Sequence, residues 1–484
     1  MLFNSLEFLV FLPVVFFLYW AVFKNTSGSQ NLLLLLASYV FYAWWDWRLL
    51  FLLIFSTLLV FYAGLIMSKA ENESKRKWAL RFGAVISIGL LCFFKYFNFF
   101  IETWIDAWSF LGIKFSPLVL NILLPVGISF YTFHGLSYLI DIYNQRIKAT
   151  DNIVNYSLFV AYFPLLVAGP IERATHLLPQ LEKRRVFSYK QGVEGLRLIV
   201  WGLFKKIVIA DSLALPVNEI FANYTSQMSS DLILGAVYFA IQVYADFSGY
   251  TDVARGVSKL FGIELLLNFN FPYFSKSIPE FWHRWHISLS SWLNDYVYTP
   301  FALRYRNLKK WGIYLAVLFT FLISGFWHGA GWHFIVWGGL HGLYYFPTVI
   351  LSGKRFKSFV GTKHGEDRLT FKDIPFVILT FSLVSFALIF FRSADITASL
   401  GYIQKLFTDL VIHPGQLFLL PKHYSSLIYV LLLIAIDLTK YMNWFMGKPV
   451  YRFYLHAAAD IILIFTTISY LFRVDSASFI YFQF

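Results

Sequence analysis

Residues 49–67 read LLFLLIFSTLLVFYAGLIM. No position in this run carries a charge, and it matches the roughly 20 apolar residues that a helix needs to cross about 30 Å of hydrocarbon. Lipid offers no hydrogen bonds, so such a segment must satisfy its own backbone as a helix. Outward from it, apolar runs recur at residues 6–23, 31–43, 80–100, 118–140, 156–168, 196–213, 232–247, 314–326, 334–351, 374–391, 426–438 and 456–472. The fold class read from this pattern is an all-α polytopic membrane protein with about a dozen transmembrane or re-entrant helices. Composition agrees: of 484 residues, 58% are hydrophobic and 14% charged, where a soluble domain carries about 25% charged residues. The 55 Phe, 30 Tyr and 16 Trp exceed what interfacial belts use, so many must pack between helices.

The net charge of +13 sits in short loops between apolar runs, which is the pattern of topology control rather than of nucleic-acid binding. Residues 68–81 hold Lys69, Lys75, Arg76, Lys77 and Arg81, which puts that loop in the cytoplasm. Three runs precede it, so the N-terminus is expected outside. Further basic stretches lie at 173–190, 304–310 and 354–372, the last a candidate cytoplasmic loop. An anionic cytoplasmic partner, such as a phosphate-bearing cofactor or an acidic carrier protein, fits this charge. The single cysteine, Cys92, lies in an apolar run, where a thiolate is disfavoured and no intrachain disulfide can form. The start of the chain lacks a basic leader and a small-residue cleavage site, so residues 8–22 read as a retained span. The whole reads as a single membrane domain, 1–484, with a core over 1–391 and a C-terminal helical extension over 392–484.

Two runs are interrupted. Residues 118–140 contain Pro125 and Gly127, and residues 163–171 read FPLLVAGPI. Both can be walls of a cavity or re-entrant pieces; both can equally be kinked helices.

Polar chemistry concentrates between residues 242 and 341, which hold His283, His286, His328, His333 and His341 out of 11 histidines. On a continuous helix His283 and His286 share a face, with Ser290 one turn beyond. His328 stands between Gly325 and Gly329 at the end of an apolar run, where a ligand or a second backbone can come close. A neutral imidazole in such surroundings is a suitable general base. His333 and His341 read as packed, hydrogen-bonded histidines, and His283 as structural. Asp246 and Asp252 either pair with Arg255 or cap a helix, or they serve the site. The chain has no Gly-x-Ser-x-Gly elbow, phosphate-binding loop, dinucleotide fingerprint or His-Glu-x-x-His. A metal-dependent membrane oxidase and an ion-coupled transporter are the rival readings. The first finds only the His283–His286 pair at metal-like spacing, and the second lacks matched broken segments in two halves.

Six stretches together resemble the membrane-bound O-acyltransferase family: MLFNSLEFLVFLP at the start, LPVGISFYTFHGLSYLIDIY (124–143), FPLLVAGPI (163–171), YADFSGYTD (244–252), FWHRWHISLSSWLNDYVYTP (281–300) and GFWHG (325–329). Within the family the pattern resembles the bacterial alginate O-acetyltransferase branch, which is related to the D-alanyl-lipoteichoic acid transferases. The resemblance implies helices ringed around a thin central partition. It implies that His328 and His286 are the catalytic pair, with His328 the base. Ser290, Asn294, Asp246 and Tyr250 are the candidate substrate-binding residues beside them, and no metal is expected. It also implies no bound cofactor. The donor would be a thioester substrate, acetyl-CoA or an acylated carrier protein. The acceptor would be an extracytoplasmic polysaccharide hydroxyl, or a separate relay partner of the serine-histidine hydrolase-like SGNH class. The setting would be the bacterial inner membrane. Acyl transfer to teichoic acid or peptidoglycan stands as the alternative.

Overall fold

A computed structural model of the chain describes residues 1–113, 120, 122–351, 369–442 and 460–470. Among the described residues every regular element is helical. Most of the basic stretch at 354–372 and the two ends of the apolar run at 456–472 lie outside them. The chain forms two compact units, residues 1–199 with 254–266, and residues 200–253 with 267–484.

The first unit contains α1 (Leu6–Phe17), α2 (Ser27–Ala43), α3 (Trp47–Lys69), α4 (Glu73–Leu91), α5 (Phe97–Phe110), α6 (Ile128–Tyr143), α7 (Ile153–Ala161), α8 (Phe163–Ala168), α9 (Ala174–Glu182) and the first turns of α10 (Tyr189–Phe204). Thr26, Asp46, Asn72 and Asn152 begin α2, α3, α4 and α7 by accepting first-turn amides on their side chains, each such cap being worth about 1 kcal/mol. Helices α3, α4 and α6 pack together through small residues. A Cβ on Gly64 would stand 2.9 Å from Tyr138 Cε1, and one on Gly83 would stand 2.7 Å from Leu139 Cδ1.

Both interrupted runs are true breaks in the helix. Gly127 takes φ of 75° just before α6, and its missing Cβ lets it approach the Leu166 carbonyl, where an added Cβ would come within 2.6 Å of the oxygen. The second, residues 163–171, starts as α8 just after a break at Tyr162 that separates it from α7, and its helix ends at Ala168. Side chains replace the lost backbone bonds: Tyr42 donates to the Val126 carbonyl (3.0 Å) and Phe163 N donates to Ser38 Oγ (3.0 Å). Backbone breaks at membrane depth are tolerated where protein satisfies them in this way.

The second unit holds the remaining turns of α10 and α11 (Asp211–Ala222), and α12 (Ser229–Leu260) as far as Val253. It continues with α13 (Ile278–Arg284), α14 (Ile287–Leu293), α15 (Thr299–Arg304), α16 (Lys310–His328), α17 (Trp332–Tyr344), α18 (Ile374–Arg392), α19 (Ile396–Ile412) and α20 (Leu427–Tyr441). Glycines bring α16 and α17 into backbone contact. A Cβ on Gly325 would lie 2.3 Å from the Phe334 carbonyl oxygen, and one on Gly338 would lie 2.2 Å from that of Phe321. Such close approach is the membrane solution to helix pairing, because apolar burial gains little against lipid.

By length and apolarity six helices among the described residues can cross a membrane: Trp47–Lys69, Glu73–Phe110, Ser229–Leu260, Lys310–His328, Phe371–Arg392 and Tyr424–Tyr441. Shorter apolar helices are Leu6–Val22, Ile153–Leu166 and Asp460–Tyr470. Several of the dozen runs are therefore short or cut, and breaks such as those at Gly127 and Tyr162 are the cause.

Candidate functional site

His328 is the last residue of α16 and is 4% exposed. Its ring meets Trp327 at 4.8 Å, Trp337 at 4.9 Å in an edge-on contact, and Phe391 at 5.2 Å. It lines a small cavity with Trp337 and His341 of α17 and Trp282 of α13, walled by Val243, Leu388 and Phe391 among others. As described, this cavity has room for about one water molecule. Trp282 donates its indole N–H to His341 Nδ1 at 3.2 Å. His341 is fully buried, as expected of a packed histidine, and it also lines the cavity.

His286 is set differently. A continuous helix carrying His283, His286 and Ser290 on one face is not what forms. α13 ends at Arg284, His286 adopts φ of 43°, and α14 starts at Ile287. The cause is the segment before α13, which docks on the break: Asn270 N donates to the Arg284 carbonyl and Ile287 N to the Asn268 carbonyl, both at 2.9 Å. Asn268 Oδ1 then accepts Ser288 N (3.3 Å) and Ser288 Oγ (2.9 Å), and lies 3.0 Å from His286 Nδ1. An oxygen that accepts a backbone amide can only accept from the ring too, so Nδ1 carries the proton and Nε2 the basic lone pair. The ring is fully buried and meets Phe247 edge-on at 4.8 Å.

The other predicted residues divide. Ser290 Oγ donates to the Trp285 carbonyl (3.3 Å), and Asn294 Nδ2 donates to Asp295 (3.3 Å); neither is among the residues lining the His328 cavity. Asp246 and Tyr250 belong to a separate buried charge cluster. Two consecutive lysines, Lys205 and Lys206, lie in a π-helical turn, Lys205–Ala210. Lys206 Nζ bridges Asp211 (2.7 Å) and Asp246 (2.8 Å) and sits 5.6 Å from the Tyr250 ring centre. Lys205 Nζ reaches Asp252 (2.7 Å) and Ser248 (2.8 Å). The two aspartates therefore pair with lysines that a sequence reading had not matched to them, although a Lys-Lys pair within an apolar run is itself a signal. Asn268, Trp282 and Trp337 were likewise not singled out, since nothing in their local spacing marks them. Among the described residues no group of three or more His, Cys, Asp or Glu side chains is placed to hold a metal ion.

Residues 8–353 match the sequence profile of MBOAT, the membrane-bound O-acyltransferase family. The chain is 42% identical over 347 residues to a "probable alginate O-acetylase" of Azotobacter vinelandii, covering 71% of this chain and 67% of that protein. It is 35% identical over 436 residues to a peptidoglycan O-acetyltransferase of Helicobacter pylori, covering 84% and 80%. A teichoic acid D-alanyltransferase of Bacillus subtilis is 29% identical over 239 residues, covering 46% and 58%. With its apolar helices and this match over most of its length, the chain belongs to the membrane-bound O-acyltransferase family of multi-pass membrane proteins.

Proposed function

We propose that this protein is an O-acetyltransferase of the inner membrane, passing an acyl group from a cytoplasmic thioester to a hydroxyl outside. The observation that carries the reading is His328, buried at the end of a membrane helix beside a cavity closed by aromatic side chains. The donor is acetyl-CoA or an acylated carrier protein. The acceptor is a polysaccharide hydroxyl or the serine of a separate SGNH-type relay protein. In the reaction, neutral His328 takes the hydroxyl proton as the new C–O bond forms. The C–S bond then breaks, and the imidazolium returns its proton to the leaving thiolate. A positioned base of this kind supplies roughly 10²–10⁴-fold in rate, and holding both substrates in one site adds proximity. His286, with its Nδ1 directed to Asn268, serves as partner to this base.

The acceptor is a cell-envelope or secreted glycan. Names of relatives support both exopolysaccharide and peptidoglycan, and the peptidoglycan relative aligns with more of this chain. D-alanyl transfer to teichoic acid is the alternative and rests on a shorter alignment.

The test is ester-linked acetate, measured on exopolysaccharide and on peptidoglycan from cells expressing wild type or His328→Ala at equal membrane levels. Acetate should fall at least about 10²-fold in the variant. Equal acetate in both would overturn the role of His328, and ester-linked D-alanine in its place would favour the alternative.

A further inference from the structure

Two residues lining the cavity beside His328 carry an indole or imidazole nitrogen with no hydrogen-bond partner among the described residues. Trp337 Nε1 and His341 Nε2 are both buried without a hydrogen-bond partner, and both residues line this cavity. The proton position on His341 follows from its neighbour. An indole N–H can only donate, so the Trp282 contact at 3.2 Å makes His341 Nδ1 an acceptor. A ring that accepts at Nδ1 is neutral and carries its proton on Nε2. His341 therefore presents an N–H donor, not a base. Buried donors without acceptors are rare, and each calls for an explanation such as an absent ligand or water.

The three rings are neighbours. His328 lies 4.9 Å from Trp337, and Trp337 lies 5.1 Å from His341, between ring centres. The remaining wall, including Val243, Leu388 and Phe391, is apolar. A space for about one water molecule beside these two N–H groups suits a single oxygen acceptor, such as the carbonyl oxygen of an acyl group.

Resting on the acyl-transfer reading above, we propose that this water-sized cavity receives the carbonyl oxygen of the acyl group, held by Trp337 Nε1–H and His341 Nε2–H. As the acceptor oxygen attacks and gives its proton to His328, negative charge grows on that carbonyl oxygen. The two N–H groups stabilise it until the C–S bond breaks and the carbonyl re-forms. Fixed donors in a water-free site need no rearrangement as the charge develops, and losing one typically costs about 10²–10³-fold in kcat. Trp282 is a positioning residue, because it sets which nitrogen of His341 bears the proton.

The experiment uses the full-length protein in inverted membrane vesicles, with acetyl-CoA as the donor, following acceptor-dependent thiol release. Trp337→Phe keeps the ring against His328 and removes the N–H. His341→Leu removes the donor, whereas His341→Gln keeps both an acceptor for Trp282 and an N–H for the acyl oxygen. Trp337→Phe and His341→Leu should each lower kcat about 10²–10³-fold with KM for acetyl-CoA nearly unchanged. His341→Gln should recover a substantial part of that loss, and all three should keep the thermal midpoint of wild type in detergent. Wild-type kcat in Trp337→Phe and His341→Leu would overturn the proposal and leave only a structural water at these atoms. Equal losses in His341→Leu and His341→Gln would overturn it too, as would losses that track a lowered midpoint. If wild type releases no more thiol than His328→Ala, the acyl-transfer reading itself fails with this donor and the proposal falls with it.

Discussion

Two histidines that look alike in sequence carry opposite roles for their ring nitrogens. His286 directs Nδ1–H to Asn268 and keeps Nε2 as a lone pair, whereas His341 accepts at Nδ1 and keeps Nε2 as a donor. The assignment depends on one neighbour in each case, Asn268 or Trp282. Asn268 is therefore a positioning residue for His286. Asn268→Ala is expected to lower kcat by up to roughly 10²-fold, within the 10²–10⁴ range of a positioned base. Because the freed ring can change tautomer, kcat per folded molecule should fall at an unchanged thermal midpoint. A variant that only loses folded protein would keep the wild-type kcat per folded molecule, so measuring both separates the two. His286 and His328 stand out in the sequence by resemblance to the family. Asn268 does not, because its role comes from an 18-residue separation that only the folded chain closes.

At the scale of elements, the site depends on how closely α16 and α17 approach. Gly325 and Gly338 back onto carbonyl oxygens of the opposite helix at distances no Cβ can occupy. Gly325→Ala or Gly338→Ala should force the helices apart at about 1–3 kcal/mol each and shift His328 against Trp337. Gly339 is the control, since an added Cβ there meets nothing closer than 3.7 Å, and Gly339→Ala should leave the midpoint unchanged or slightly raised. Thermal melts in detergent, together with acetate transfer, check all three; a neutral Gly325→Ala would show that the hairpin relaxes without loss. The glycines were visible as a pattern in GFWHG and WGGLHG, but not which of them touch. The break at His286 shows the reverse case. Helical spacing offered one face for His283, His286 and Ser290, and docking of residues 268–270 ends the helix between them instead.

Over the whole molecule, the open quantity is the number of crossings before the basic loop at residues 68–81. α3 is long and apolar enough to cross, and Leu6–Val22 is a shorter apolar helix. α2 has 17 residues, about 25 Å of helix, and begins with polar residues of which Gln30 and Asn31 are fully buried. If α2 crosses a locally thinned bilayer, the N-terminus lies outside. An N-terminal epitope should then be digestible in intact spheroplasts. A Lys75→Cys probe in a Cys92→Ser background should react with an impermeant maleimide only in inverted vesicles. Protection of both from outside would mean that α2 does not cross. The sequence by itself determined that this is an all-helical membrane protein, that its histidines concentrate between residues 283 and 341, and which two of them resemble the family's marker pair. These are properties of hydropathy, charge placement and short motifs, which are local along the chain. Only the tertiary structure decided that Lys205 and Lys206 pair with Asp252 and Asp246 of α12, that Asn268 holds His286, and that Trp337 and His341 share a cavity with His328. Those pairings arise because a buried charge or N–H must find a partner across the fold, and no local pattern names that partner.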